Sequence, residues 1–187
     1  TNVLPEIGYT ATENDYFTAG VKISPDTPKS GFQTFRVYIT LKPETAQNVY
    51  TLFGEPATQL TPDIVLTAPA SFQVAGSFGA DVGGVPPAFS PTSQDSEFDS
   101  WLTVGMTDGS DNTAISSIGI DFDNWDENTA LSTNNGAIFW MDPNSGPSNG
   151  EIILGQFTIP DTVTQFNFTG GLQGRKTAGG DWKEVIN

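Results

Sequence analysis

The densest set of oxygen ligands in this chain is Asp121-Phe122-Asp123-Asn124-Trp125-Asp126-Glu127-Asn128. Calcium takes 6–8 oxygens from carboxylates, amides and carbonyls. Asp121, Asp123, Asn124, Asp126 and Asn128 offer such oxygens in a turn that follows an apolar run, which makes a calcium site there one expectation. The spacing is not that of an EF-hand, since Trp125 takes a ligand position and no Gly follows. The other reading is a solvated strand end whose Asp and Asn side chains bond their own backbone. Asp108-Gly-Ser-Asp-Asn112 and Asp142-Pro-Asn-Ser-Gly146 are weaker versions of the same pattern. They read first as a hairpin loop and a Pro-initiated turn.

The aromatic residues suggest a second chemistry. Sugar faces stack on exposed rings while polar neighbours fix orientation. Trp101 and Trp140 sit inside apolar runs and belong to a core. Trp125 and Trp182 border polar turns and are the candidates for a carbohydrate-binding face. Asn167-Phe168-Thr169 is the one glycosylation sequon, and alternation turns Asn167 away from Phe166 and Phe168.

Catalysis finds little support. The chain has no Cys and no His, so thiolate nucleophiles, disulfides and imidazole acid–base chemistry are excluded. Carboxyl pairs such as Glu97 with Asp99, or Asp121 with Asp123, could serve a glycoside-active enzyme, but any acidic protein offers such pairs. No nucleophile elbow or phosphate loop occurs. The expectation is a non-enzyme that requires no cofactor, with calcium as the one optional ion.

The elements that would position these residues are short β-type runs bounded by Gly, Pro, Asn and Asp. Phe32 to Leu41 alternates with period two, placing Phe35, Val37, Ile39 and Leu41 on one face. Ile115 to Phe122 puts Ile118, Ile120 and Phe122 on one side, and Val163 to Thr169 turns Phe166 and Phe168 inward. Ser100 to Met106, Gly136 to Met141 and Glu151 to Ile159 are apolar enough for central strands. Tyr16 to Ile23, Asp63 to Thr67, Ser71 to Ala75 and Trp182 to Ile186 are shorter strands. Pro43 to Phe53 fits a helix by spacing, but its Val, Tyr, Thr and Phe favour a strand over Asn48 to Phe53. The sum is an all-β, antiparallel two-sheet β-sandwich of about ten strands, with jelly-roll or Greek-key-like connections. All 187 residues form one domain, with 1–23 as an N-terminal arm or first strand and 76–99 as a long loop. That loop is either a packed Ω-loop or an arm that docks on a neighbour.

Twenty-two acidic residues face seven basic ones, a formal net charge of −15. Such a surface repels nucleic acid and anionic lipid. No apolar run is long enough to span a membrane.

Asn48-Val-Tyr-Thr-Leu-Phe-Gly54, Asp99-Ser-Trp-Leu-Thr-Val-Gly105, Ser117-Ile-Gly-Ile-Asp-Phe122 and Gly136-Ala-Ile-Phe-Trp-Met-Asp-Pro143 resemble modules of secreted or organelle-targeted proteins of algae and related protists. The likeness runs from about Phe32 to Trp182. More distantly, the pattern is similar to cohesin-type sandwiches. The resemblance implies a multi-copy fibre, sheath or shell protein, extracellular or at the cell surface, or in an organelle lumen, and carries no catalytic motif. The expected partners are therefore copies of the chain itself, with glycans as an alternative.

Overall fold

The computed structural model describes residues 12–89, 95–110 and 113–187. Eleven strands lie among them: β1 (Phe17–Ile23), β2 (Phe32–Leu41), β3 (Thr51–Gly54), β4 (Leu66–Ala68), β5 (Trp101–Leu102), β6 (Ile115–Ile118), β7 (Leu131–Thr133), β8 (Gly136–Trp140), β9 (Ile152–Pro160), β10 (Gly170–Arg175) and β11 (Asp181–Ile186). They form a four-stranded sheet in the order β1-β2-β9-β5, a five-stranded sheet in the order β11-β10-β3-β8-β6, and a small β4-β7 ladder. All ladders between these strands are antiparallel. The connections β2 to β3, β8 to β9 and β9 to β10 each pass from one large sheet to the other. The architecture is the antiparallel β-sandwich that period-two alternation predicts.

The core forms where the inner faces meet. Phe35, Val37, Ile39, Phe157 and Leu154 come from one sheet, and Leu52, Ile138, Leu172 and Trp182 from the other. β2 and β11 show the expected alternation most plainly, and the helix alternative at Pro43 to Phe53 is not adopted.

Ser100 to Met106, expected as a central strand, is a strand only over Trp101–Leu102 and lies at the edge of its sheet; three further strand expectations change. Val163 to Thr169 has no ladder beyond a Thr169–Thr67 bridge; the strand follows at β10. Ser71 to Ala75 is likewise outside any strand. In the third, Gly119 takes φ +69 and ends β6, so Ile118 turns outward, 66% exposed, while Ile120 and Phe122 pack on the core.

The long loop packs back on the molecule at Asp81 to Gly83. Val82 bridges Leu102 of β5, Leu102 N–H donates to the Asp81 carbonyl, and Gly83 N–H donates to Leu102. This caps the β5 edge, a protection that open sheet edges need. Thr34, Gln156 and Thr158 point away from the core, yet each is buried. The outer face of the four-stranded sheet is thus covered where these residues lie, by the strand-flanking segment at Phe72 and by residues 95–100.

Asp99 holds this cover in place. Its carboxylate is fully buried and accepts from Val74 N–H at 2.8 Å and Ala80 N–H at 2.6 Å. Burial pushes its pKa up to about 6, against the lowering effect of those bonds.

Candidate functional site: the open face of the five-stranded sheet

The outer face of the five-stranded sheet contrasts with its counterpart. The register places Val185, Gly171, Phe53, Ala137 and Ile118 in one row across all five strands. These residues alternate with the inward Trp182, Leu172, Leu52 and Ile138, so they face out. Phe53 lies over Gly171, where a Cβ would overlap the ring. Lys183 covers the ring from outside, with its ammonium 5.1 Å from the centroid and paired with Glu55. Val185 at one edge is 42% exposed. At the other edge a shallow hollow of about 290 Å³ is lined by Phe53, Gly54, Ile118 and Gly119 with Asn135 to Ala137. Phe53 and Gly171 are buried and Ala137 is half-buried, so the exposed apolar surface of the row lies at its two ends, Ile118 and Val185.

Beside the row lie Thr51 and Gln173, then Tyr50 and Arg175. Tyr50 Oη accepts from Gln173 at 2.7 Å, and the Arg175 guanidinium stacks on the Tyr50 ring at 5.4 Å while pairing with Asp181 at 2.7 Å. Burial, the first of several influences, raises the Tyr50 pKa. This patch was missed in the sequence because Tyr50 and Arg175 lie far apart along the chain.

The residues singled out from the sequence do not converge. Asp126 Oδ1 accepts from the N–H groups of Asn128 and Thr129, each at 2.8 Å, and Asn124 Nδ2 donates to Asp121 Oδ2 at 2.6 Å. This is the Asx-turn arrangement, with the Asp126 oxygen turned to its own backbone. Asp123 instead lies near Asp81; burial and the Asp123 charge together raise the Asp81 pKa. No group of three or more carboxylates arranged to hold a metal occurs among the described residues.

The tryptophan expectation is corrected. Trp125 and Trp182 are 2% and 1% exposed, so neither ring offers a sugar platform. Trp125 sits edge-on to Phe157 and donates from Nε1 to the Pro69 carbonyl at 2.8 Å. Trp182 stacks on Tyr16 with centroids 5.3 Å apart and donates to the Asn48 carbonyl at 3.0 Å. Each indole N–H finds a carbonyl inside the fold, which lets a ring beside a polar turn be buried. Trp101 is buried as expected, and Trp140 is half-buried with Nε1 on the Val104 carbonyl. Asn167 is exposed, which a glycan acceptor requires.

The expected arm at 1–23 falls in two parts. Residues 1–11 lie outside the described residues, as do 90–94 of the long loop and Asp111 and Asn112 of the Asp108 turn. Phe17 to Ile23 pairs with β2 over its whole length. Comparison with family models, with curated proteins and with solved structures finds no match to this chain.

Proposed function

We propose that this chain is a non-catalytic structural building block that assembles with copies of itself into an extracellular fibre, sheath or shell. The observation that carries the reading is the apolar row Val185–Gly171–Phe53–Ala137–Ile118, whose two ends, Ile118 and Val185, are exposed, set against a second sheet whose outer face is partly covered by its own chain. A flat face of this kind gains by pairing with another flat face. The outer edge of β6, which pairs with no further strand among the described residues and lies next to exposed Ile118, gives a second route by strand addition.

Substituting Ile118→Asp tests it. Ile118 is largely exposed, so the fold should survive, while the mass measured by light scattering should fall from assembled particles to monomer. Equal masses for the two proteins would remove this face from the assembly. The alternative reading, a glycan-binding module, is favoured by the ring and amide groups of Tyr50 and Gln173 on the same face. A chain that stays monomeric in all conditions and binds glycans through Tyr50 would replace the structural reading.

A further inference from the structure

Seven cationic side chains serve this chain, and five of them have a carboxylate within salt-bridge distance among the described residues: Lys22 with Glu151, Lys29 with Asp95, Lys42 with Glu13, Arg175 with Asp181 and Lys183 with Glu55. Of the other two, Lys176 lies on the β10–β11 turn. Arg36 is different, because it sits in the middle of a sheet. With 22 acidic residues available, a half-buried guanidinium without one is unexpected.

The sheet register explains its position. Arg36 of β2 lies opposite Gln156 of β9, which lies opposite Trp101 of β5, so the three form one outward row. Gln156 is fully committed: its Oε1 accepts from Arg36 Nε at 2.9 Å, and its Nε2 donates to the carbonyls of Glu97 at 3.0 Å and Asp99 at 2.7 Å. The guanidinium stacks on Trp101, with Cζ 5.3 Å from the ring centroid. These two contacts fix its plane. Its two Nη nitrogens have no hydrogen-bond partner among the described residues.

Among the described residues, the covering segments stop short of this group. Between them is a cavity of about 260 Å³, walled on its apolar side by Pro25, Val85 and Pro87 and bordered by Glu97. A planar guanidinium held by Nε and by its face presents a two-toothed fork that matches a carboxylate. The apolar walls suit a short hydrocarbon body, and Glu97 disfavours a second negative charge. We propose that the Arg36 cavity is a binding site for a monocarboxylate group, supplied by a free small acid or by an acidic side chain of a second copy of this chain. This site stands independently of the sheet-face assembly described above.

The sequence contains two arginines, Arg36 and Arg175. Their ¹⁵Nε–¹H signals therefore report the site and an internal control. Titration with sodium butyrate and sodium acetate at constant ionic strength should shift the Arg36 signal saturably, with a Kd on the order of millimolar and butyrate tighter than acetate. The Arg175 signal, already paired with Asp181, should stay in place. Val85→Asp puts a carboxylate in the wall and should weaken butyrate binding by about tenfold or more through competition at Arg36. Arg36→Gln should abolish the shift of the remaining indole and amide signals around the cavity. Equal, unsaturating drift of both arginines, or full butyrate affinity in the Val85→Asp protein, would overturn the proposal. The source of the group is then read from particle mass. Butyrate that breaks particles down identifies a neighbouring copy as the donor, and butyrate that binds without changing mass identifies a free acid.

Discussion

Asp99 shows how one residue sets the behaviour of a whole segment. A fully buried carboxylate costs several kcal/mol of lost hydration, and two or three backbone N–H groups repay part of it. The remainder appears as a pKa raised from 3.8 to about 6. An acid whose pKa is higher in the folded state binds its proton more tightly there than in the unfolded chain. Its contribution to stability is therefore full below pH ~4 and lost as pH rises through about 6, worth at most about 3 kcal/mol. Chemical denaturation at pH 4.5 and 7 measures this. The Asp99→Asn protein should lack that share of the pH slope, because it has no proton to bind. It should also lose one acceptor for Val74 or Ala80 N–H, at about 1–3 kcal/mol. An unchanged slope in the variant would show that other carboxylates carry it.

At the scale of the element, β10 is the strand whose residues least resemble one. Gly170-Gly-Leu-Gln-Gly-Arg175 has one large apolar residue and three glycines, and glycine is poor in strand interiors. Its pairing explains the composition. Trp182 of the neighbouring β11 lies over Gly174, where a Cβ would stand 2.7 Å from the ring and would overlap the Asn48 carbonyl that the indole N–H uses. Phe53 lies over Gly171 in the same way on the opposite face. Gly174→Ala should destabilise the fold by about 1–3 kcal/mol by overpacking, seen as a lower midpoint in denaturant. A midpoint unchanged from the parent would mean that the Asn48 carbonyl and Trp182 both give way freely.

The same strand shows what alternation could and could not reveal. β2 was legible because its own side chains alternate between core and surface, and its bounds were predicted to the residue. β10 was not, since the information that makes it a strand lies in rings supplied by Phe53 and Trp182. Val163 to Thr169 has the right alternation and does send Phe168 into the core, but among the described residues its strand-type pairing is limited to the Thr169–Thr67 bridge. The candidate sites follow the same rule. Trp125 and Trp182 border polar turns, which suggests exposure, and only the distant carbonyls of Pro69 and Asn48 make their burial possible. Asp121 to Asn128 carries its Asx-turn locally, so that alternative was legible. The apolar row and the Arg36 cavity combine residues from three or more strands and appear only with the register.

For the whole molecule, charge and the apolar row pull in opposite directions. A face-to-face pair of standard size removes about 1,600 Å² from water, somewhat over half of it apolar, which grosses about 20 kcal/mol at 25 cal/mol per Å². Association itself costs about 4–15 kcal/mol before side chains are ordered. The margin is small enough for repulsion between two bodies of net charge −15 to decide the outcome. In dilute buffer of about 0.01 M the Debye length is about 30 Å, comparable to the domain, and each copy meets the full field of its neighbour. At 0.15 M it is about 8 Å, and only charges near the contact interact. Particle mass by light scattering should therefore rise with sodium chloride towards seawater-like salt. If calcium bridges carboxylates between copies, as Asp121 and Asp123 on the surface would permit, millimolar calcium should exceed sodium chloride of equal ionic strength. Asp121→Asn with Asp123→Asn should then erase the excess and leave the sodium response intact. Mass that falls steadily as salt is added would mean that ion pairs rather than the apolar row join the copies, and the Lys183–Glu55 pair on that face would be the first to exchange partners.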